Sequence, residues 1–188
     1  MRVISGLFKG RKLEPIKIRG IRPTSDRVKE ALFSILRNDI GGSIFLDLFA
    51  GSGSIGIEAY SRGASKVIFV DSNVESFKVL QQNLNKLSLK EDIELHNADY
   101  KMAIKKLGLR GEKFDIIFID PPYGENLSID AINEINKNDI IDENGLIVVE
   151  HSVKEPMPKS INIYELHKRK VYGNTQLSFY VFNTSIRR

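Results

Sequence analysis

The sequence predicts an α/β fold built on a mostly parallel β-sheet, and three patterns indicate it. Short apolar strands alternate with amphipathic helices between residues 44 and 149. These strands are apolar on both faces, which is typical of parallel strands covered by helices on both sides. After residue 160 two alternating strands surround Gly173-Asn174, which predicts an antiparallel hairpin at one edge of the sheet.

The elements follow in order from the N-terminus. Residues 2–19 are predicted to form two short strands around Gly6 and Gly10, and residues 24–38 an amphipathic helix, because apolar residues recur there on one helical face. Further strands are predicted over residues 44–49, 66–70, 93–96, 114–119 and 146–149, helices over 77–87 and 127–135, and tail strands over 161–171 and 176–182. We therefore divide the chain into an N-terminal extension, residues 1–40, and a main domain, residues 41–188.

The composition excludes several classes of protein. The chain has 188 residues, which suits a single domain with a small extension. Cysteine is absent, which excludes a thiol nucleophile, a thiolate metal cluster and a disulfide framework. The three histidines, His96, His151 and His167, are too dispersed to suggest metal-ligand spacing, so we expect no metal. No apolar run approaches the roughly 20 residues of a membrane span, and no secretory signal begins the chain. We expect a cytoplasmic protein that does not associate with membranes.

Positive charge is concentrated near the N-terminus. Residues 1–37 contain ten basic and three acidic side chains, a net charge of +7, whereas the remaining chain has a net charge of −3. A basic end on a mildly acidic body suggests contact with a polyanion such as a nucleic acid. The candidate phosphate-binding residues are Arg11, Lys12, Lys17 and Arg19.

A Gly-x-Gly-x-x-Gly motif occupies residues 51–56, between a predicted strand and a predicted helix. Gly51 and Gly53 allow a sharp turn and let a ligand approach the helix N-terminus closely. Asp71 ends the next strand, about 20 residues after Gly51, where such folds use a carboxylate to hold ribose hydroxyls. Together these features predict a site for a nucleoside cofactor.

Two classes of cofactor fit this motif, and Asp47 favours one of them. A nicotinamide dinucleotide would place its pyrophosphate at the helix N-terminus, whereas S-adenosylmethionine has no phosphate. Asp47 lies in the strand before the turn, and a carboxylate beside a pyrophosphate would be repulsive. It therefore favours S-adenosylmethionine. Asp99, after the third strand, either accepts a hydrogen bond from the adenine amino group or caps the helix that follows.

The tetrapeptide Asp120-Pro121-Pro122-Tyr123 directly follows a buried strand, so it lies at the carboxyl edge of the sheet, where open α/β sheets bind ligands. The prolines fix the backbone and leave carbonyl groups free to accept hydrogen bonds. The Asp120 carboxylate and the Pro121 carbonyl can accept the two hydrogens of an amine on a planar base. Tyr123 can stack on a base rotated out of its helix or loop. The tetrapeptide therefore predicts methyl transfer to the exocyclic amine of a nucleobase.

The sequence resembles a known enzyme family in these motifs and in two others. Asp-Leu-Phe-Ala-Gly-Ser-Gly at residues 47–53, Asp71 and the Asp-Pro-Pro-Tyr tetrapeptide resemble class I S-adenosylmethionine-dependent amino-methyltransferases, whose fold is Rossmann-like. The start, Met-Arg-Val-Ile-Ser-Gly, and residues 22–33, Arg-Pro-Thr-Ser-Asp-Arg-Val-Lys-Glu-Ala-Leu-Phe, are similar to the RsmD family. That family methylates N2 of one guanine, at position 966, in bacterial 16S ribosomal RNA.

The resemblance spans almost the whole chain and implies more than the residues alone predict. It implies a seven-stranded sheet with a small N-terminal extension of β-hairpin and helix, and S-adenosylhomocysteine as a product. It implies that 16S rRNA is bound within a partly or fully assembled small ribosomal subunit, and we expect a monomeric enzyme. Some members carry Phe at the position of Tyr123, so stacking rather than the hydroxyl is the role it implies there. The implied cofactor contacts are Asp47, Gly51, Gly53, Asp71, Asp99, Arg22 and Thr24, and the implied catalytic residues are Asp120, Pro121 and Tyr123.

Three other functions are open from the residues alone. Another amino-methyltransferase, acting on DNA adenine or cytosine or on a protein glutamine, could use the same acceptor motif, and only the N-terminal residues argue against it. A nicotinamide oxidoreductase would leave the Asp-Pro-Pro-Tyr tetrapeptide without a role. A non-catalytic RNA-binding factor would have no need of intact Gly51, Gly53, Asp71 and Asp120.

Overall fold

A computed structural model gives the fold and describes residues 1–16, 25–89, 91–122 and 126–183. Helices and strands alternate along these ranges as the sequence predicts. The α-helices are α1 (Asp26–Ile35), α2 (Ser54–Ser61), α3 (Val74–Lys86), α4 (Tyr100–Leu109) and α5 (Leu127–Asn138), and a short 3-10 helix (Leu36–Asn38) continues α1. The β-strands are β1 (Ile44–Asp47), β2 (Lys66–Val70), β3 (Ile93–His96), β4 (Phe114–Ile119), β5 (Ile141–Ser152), β6 (Ser160–Ile161), β7 (Tyr164–Tyr172) and β8 (Thr175–Phe182).

The strands form one sheet in the order β3-β2-β1-β4-β5-β8-β7-β6. Strands β1 to β5 pair in parallel, and β6, β7 and β8 pair in antiparallel fashion beyond β5. The predicted parallel sheet and its antiparallel hairpin are therefore confirmed. The described residues contain eight strands rather than seven, because the two-residue strand β6 adds to the edge. The strand order reverses between β1 and β4, the point at which open α/β sheets bind ligands.

Helices cover both faces of the sheet. On one face, buried residues of α1, α2 and α3, such as Leu32 and Leu80, pack in one layer with Phe118 of β4. On the other face, residues of α4 and α5, such as Ile104, pack with Ile117. Because successive residues of a strand point to opposite faces, β4 contributes to both layers, which explains its unbroken apolar sequence.

Residues 1–16, here called the N-terminal segment, lie against α2. One antiparallel bridge, between Arg2 and Lys12, replaces the two strands that the sequence predicts there. Gly6 has φ of +80°, and a Cβ atom on it would lie 1.7 Å from the carbonyl oxygen of Ser61. Only glycine permits this close approach of the segment to the end of α2.

The bridge between Arg2 and Lys12 does not extend into two strands, because α2 supplies hydrogen-bond acceptors that strand pairing would otherwise supply. The backbone N–H groups of Ile4 and Ser5 donate to the carboxylate of Glu58, at 2.7 and 3.0 Å. Val3 and Leu13 nevertheless point inward and belong to the same apolar layer as α1 to α3. The N-terminal segment is therefore held on the main body by buried side chains and by hydrogen bonds to α2 rather than by pairing with the sheet.

Two strand boundaries differ from the prediction for local reasons. Strand β5 begins at Ile141, which pairs with Phe114 before a shift in register, and the exposed Glu143 and Asn144 interrupt the apolar pattern within it. The predicted strand over residues 161–171 is divided into β6 and β7 at Asn162, whose φ is +52°. Asparagine tolerates this left-handed conformation better than most residues. None of the helices in the described ranges is both long and apolar enough to cross a membrane.

Candidate active site

Three aspartates lie at the carboxyl ends of neighbouring strands where the strand order reverses. Asp47 ends β1, Asp71 follows β2 and Asp120 follows β4. Asp47 lies opposite Phe118 in the parallel pairing of β1 with β4. Asp120 comes two residues after Phe118, and its negative charge lies close enough to Asp47 to raise the pKa of that carboxyl group. The structure thus brings together three residues that are separated in the sequence.

The glycine turn, defined here as residues 50–53, connects β1 to α2. Gly53 has φ of 79° and ψ of 13°, and a Cβ atom on it would lie 2.3 Å from Cδ1 of Leu80. Its backbone N–H donates to the carbonyl of Ala50 at 2.7 Å, which closes the turn. A glycine is therefore required at this position by the backbone conformation and by the packing of α3. Gly51 also has a positive φ, of 55°.

Asp47 lies beneath this turn and is almost completely buried, with 1% of its surface exposed. Its Oδ2 atom accepts a hydrogen bond of 2.9 Å from the backbone N–H of Gly56 in the first turn of α2. Burial, with smaller contributions from the negative charges of Asp120 and Asp71, raises the pKa of Asp47 to about 7, although the hydrogen bond from Gly56 opposes the increase. The carboxyl group is therefore close to its titration midpoint at neutral pH.

Asp71 joins the turn after β2 to the glycine turn. Its Oδ2 atom accepts a hydrogen bond from the N–H of Gly51, and its Oδ1 atom accepts one from the N–H of Asn73, both at 2.7 Å. Burial raises the pKa of Asp71, while the two hydrogen bonds lower it. Each carboxylate oxygen has a further lone pair, so these bonds leave capacity for a ribose hydroxyl.

Asp99 caps the N-terminus of α4, which is one of the two roles that the sequence leaves open. Its Oδ1 atom accepts a hydrogen bond of 2.9 Å from the N–H of Lys101. Just before it, the side-chain amide of Asn97 donates to the carbonyl of Asp71 at 2.8 Å. The loop after β3, which contains Asp99, is therefore tied to the loop after β2 at the carboxyl edge of the sheet.

The Asp-Pro-Pro corner leads from the sheet edge toward solvent. Asp120 and Pro121 are half-buried, and Pro122 is exposed. Arg11 and Lys12 are exposed on the N-terminal segment. The remaining predicted site residues, Lys17, Arg19, Arg22, Thr24 and Tyr123, lie outside the described residues.

Sequence reasoning missed a buried ion pair that fastens the N-terminal segment. Lys29 of α1 and Glu58 of α2 are each fully buried, and their charged atoms lie 3.5 Å apart. The Nζ atom of Lys29 donates to the carbonyl of Arg2 at 2.6 Å and to Oγ of Ser54 at 3.1 Å. Burial lowers the pKa of Lys29, and the charge of Glu58 opposes that change. The sequence contains only a weak indication that Lys29 is buried, which is that it lies one helical turn before the buried residues Leu32 and Phe33.

A groove elsewhere in the described structure is remote from the three aspartates. No group of three or more metal-ligating side chains occurs within the described ranges. A groove of about 470 Å³ opens at the opposite edge of the sheet, lined by Gly42, Asp115 and His167 among others. It lies near the amino ends of β1 and β4, so it is remote from the aspartates at their carboxyl ends.

Comparison with known proteins assigns the family. The family described as "Conserved hypothetical protein 95" matches residues 1–181. Ribosomal RNA small subunit methyltransferase D of Haemophilus influenzae is 39% identical over 181 residues, covering 96% of this chain and 93% of that protein. The protein of the same name from Escherichia coli is 34% identical over 180 residues, covering 96% of this chain and 89% of that protein.

Solved structures agree with this assignment. The Escherichia coli protein yhhF has a TM-score of 0.83 to this structure at 30% identity, covering 96% of both chains. A ribosomal protein L11 methylase from Lactobacillus delbrueckii shares the fold, with a TM-score of 0.68 at 19% identity over 87% of this chain and 82% of that one. The resemblance seen in the sequence is confirmed: the chain has the class I methyltransferase fold and belongs to the RsmD family of ribosomal RNA small subunit methyltransferases.

Proposed function

We propose that this protein transfers a methyl group from S-adenosylmethionine to the exocyclic N2 amine of one guanine in 16S ribosomal RNA, the guanine at position 966. The observation that carries the proposal is the half-buried Asp120-Pro121 corner beside Asp47 and the glycine turn, at the point where the strand order reverses. Relatives named ribosomal RNA small subunit methyltransferase D support the class of substrate. S-Adenosylhomocysteine is the second product.

The residues around the glycine turn fit a cationic cofactor that lacks phosphate. The backbone N–H groups of Gly51 and Gly56 already donate to the carboxylates of Asp71 and Asp47. A pyrophosphate at this helix N-terminus would need such donors and would be repelled by the two carboxylates. S-Adenosylmethionine carries a sulfonium and an ammonium group, which the two carboxyl groups attract in their ionised forms and which in turn favour that ionisation. This charge distribution argues against the nicotinamide alternative.

Most of the residues proposed to hold the cofactor follow the carboxyl ends of the first three strands. Asp71 would bind the ribose hydroxyls, and Asp99 would contact the adenine. Gly51 and Gly53 would let the ligand approach the backbone closely. The full proposed set is Asp47, Gly51, Gly53, Asp71 and Asp99, together with Arg22 and Thr24.

In the proposed mechanism, residues at the end of β4 prepare the amine. Bound at this site, S-adenosylmethionine supplies a methyl group attached to a positively charged sulfur, which makes that carbon electrophilic. The carboxylate of Asp120 accepts one amine hydrogen, and the carbonyl of Pro121 accepts the other, which favours a pyramidal nitrogen and orients its lone pair. Asp120 also stabilises the positive charge that develops on nitrogen and accepts the proton that nitrogen loses. Tyr123 stacks on the guanine after it has rotated out of its loop.

The RNA is proposed to contact the basic N-terminal end. Arg11 and Lys12 are exposed on the N-terminal segment, which borders the glycine turn through α2 and α3. Together with Lys17 and Arg19 they would neutralise backbone phosphates. We propose that the enzyme acts as a monomer in the cytoplasm on a partly or fully assembled small ribosomal subunit.

A substrate competition tests the proposal. The purified protein is given S-adenosylmethionine with a labelled methyl group and offered small ribosomal subunits, naked 16S rRNA, DNA and a release factor in parallel. We expect label in ribosomal RNA, as one N2-methylguanosine identified by mass spectrometry. Label in DNA or in the release factor would instead support another amino-methyltransferase. In cells, loss of the gene should remove one methylguanine from ribosomal RNA.

A further inference from the structure

A single buried side chain connects the N-terminal segment to the glycine turn. Asn83 of α3 has no exposed surface. Its Oδ1 atom accepts a hydrogen bond of 2.7 Å from the N–H of Glu14, and its Nδ2 atom donates to the carbonyl of Glu14 at 3.1 Å. The same Nδ2 group donates to the carbonyl of Ser52, in the middle of the glycine turn, at 2.9 Å.

These three contacts determine the orientation of the amide and use most of its capacity. One partner is a backbone donor and the other two are carbonyl acceptors, so only one of the two amide orientations satisfies them all. The site is buried, so each unmade bond would leave a polar group without water as a substitute partner. Asn83 therefore holds Glu14 and Ser52 in a defined relative position.

A second buried side chain connects the other end of the N-terminal segment to the residue that follows the glycine turn. Lys29 donates to the carbonyl of Arg2 in the segment and to Oγ of Ser54, the first residue of α2. In addition, a Cβ atom on Gly51 would lie 3.2 Å from Cδ1 of Ile16, so the end of the segment also packs against the turn. The end of the N-terminal segment therefore contacts the glycine turn both directly, through Ile16, and through Asn83.

From this arrangement we infer that Asn83 is a positioning residue that couples the order of the N-terminal segment to the binding of the cofactor. The inference rests on the proposed function, because it takes the glycine turn as the cofactor site and residues Arg11 and Lys12 of the segment as an RNA contact. A ligand that fixes Ser52 also fixes, through Asn83, the backbone of Glu14. By reciprocity, RNA that orders the segment stabilises the turn in its cofactor-binding conformation. Cofactor and RNA are therefore expected to bind cooperatively.

The test measures the affinity for S-adenosylhomocysteine by calorimetry in three proteins, all well below their unfolding temperatures. Asn83→Ala removes the connection. Leu84→Ala is the matched control, because Leu84 is the next residue of α3 and is buried, but contributes only apolar packing. We expect Asn83→Ala to bind at least about fivefold more weakly than wild type, within the usual range of coupling between sites, and Leu84→Ala to bind within about twofold of wild type. An equal loss in both variants, or no loss in Asn83→Ala, would overturn the inference.

Hydrogen exchange in the wild-type protein gives a second test of the coupling, and this test does not depend on whether a variant folds. S-Adenosylhomocysteine should slow exchange at the N–H of Glu14, and at those of Ile4 and Ser5, more than at the amides of the β7–β8 hairpin. Uniform slowing, or none in the segment, contradicts the coupling. A wild-type protein that does not bind S-adenosylhomocysteine at all refutes the proposed function itself, so the two failures are distinguishable.

Discussion

The carboxylate of Asp71 accepts a hydrogen bond of 2.7 Å from the backbone N–H of Gly51, so the end of β2 is joined directly to the glycine turn that follows β1. The other oxygen of Asp71 holds the N–H of Asn73, at the start of α3. One side chain thus orders two adjacent loops at the edge of the sheet where the strand order reverses. Its loss should affect both the turn and any ligand that it holds.

Replacing Asp71 with alanine should weaken binding of S-adenosylhomocysteine by about 1.5–3 kcal/mol, the range for a hydrogen bond to a charged group. Calorimetry measures the affinity, and thermal unfolding reports whether the variant is folded. Asp71→Asn is the matched control, because it retains one acceptor oxygen and should lose less affinity. An unchanged affinity in Asp71→Ala would mean that the ribose is held by other residues.

Replacing Asp120 with alanine should lower the rate of methyl transfer by about 100-fold or more, because Asp120 is proposed to orient the amine and to stabilise positive charge on nitrogen. Affinity for S-adenosylhomocysteine should stay near that of wild type. Asp120→Asn keeps an acceptor oxygen without the charge, so its rate should lie between the other two. Methylation of small ribosomal subunits at saturating cofactor measures the rates, and an Asp120→Ala enzyme with most of its activity would exclude Asp120 from the mechanism.

The raised pKa of Asp47 predicts a dependence of stability on pH. The pKa is about 7 in the folded protein, against a reference value of 3.8. The folded state therefore holds a proton that the unfolded chain releases, and the stability that this proton contributes is lost as pH rises from about 4 to about 7. Asp47→Asn retains an oxygen for the N–H of Gly56 but does not ionise. Between pH 5 and pH 8 its free energy of unfolding should rise relative to wild type by about 2.5 kcal/mol. Denaturant unfolding at both pH values measures this difference, and a constant difference would contradict the burial of an ionisable Asp47.

The buried pair of Lys29 and Glu58 predicts non-additive stability. Glu58→Ala leaves the buried Lys29 without its carboxylate partner and should cost about 3–5 kcal/mol of unfolding free energy, whereas Lys29→Met should cost less because Glu58 keeps its ion pair with Arg62 at 2.7 Å. The double variant should cost less than the two single costs combined, by more than about 1 kcal/mol. Urea unfolding of the wild type, the two single variants and the double variant measures the four free energies of this double-mutant cycle. Additive costs would show that the two charges do not interact across their 3.5 Å separation.

Neutralising Arg11 and Lys12 should weaken RNA binding and reduce its dependence on salt, by a slope of about 0.7–0.9 for each side chain that contacts a phosphate. Neutralising Lys17 and Arg19 as well should weaken RNA binding further and reduce its salt dependence further. Lys105 and Lys106 provide a control of equal charge, because both are exposed on α4, on the opposite face of the sheet. Filter binding over a series of salt concentrations measures the slope, and equal effects of the two double variants would place the RNA on another surface.

The sequence predicted the sheet and most of the candidate site because both depend on local patterns. The apolar strands, the glycine motif and the aspartates that follow strand ends are each contiguous in the chain. Asp47, Asp71 and Asp120 could be placed at one edge because the carboxyl ends of parallel strands meet there. The two strands predicted near the N-terminus did not form as expected, because the acceptor for the N–H groups of Ile4 and Ser5 is a side chain more than 50 residues away in the sequence.

The sequence by itself therefore determined the fold class, the family and the residues proposed to hold a cofactor and an amine. Each of these follows from hydrophobic periodicity or from short contiguous motifs. Tertiary structure alone decided that Lys29 and Asn83 are buried and that they join the N-terminal segment to the start of α2 and to the glycine turn, respectively. A lysine or an asparagine on a helix is ordinarily solvated, and no local pattern distinguishes one that is not. The difference arises only when packing removes water from the side chain and leaves backbone groups of distant residues as its partners.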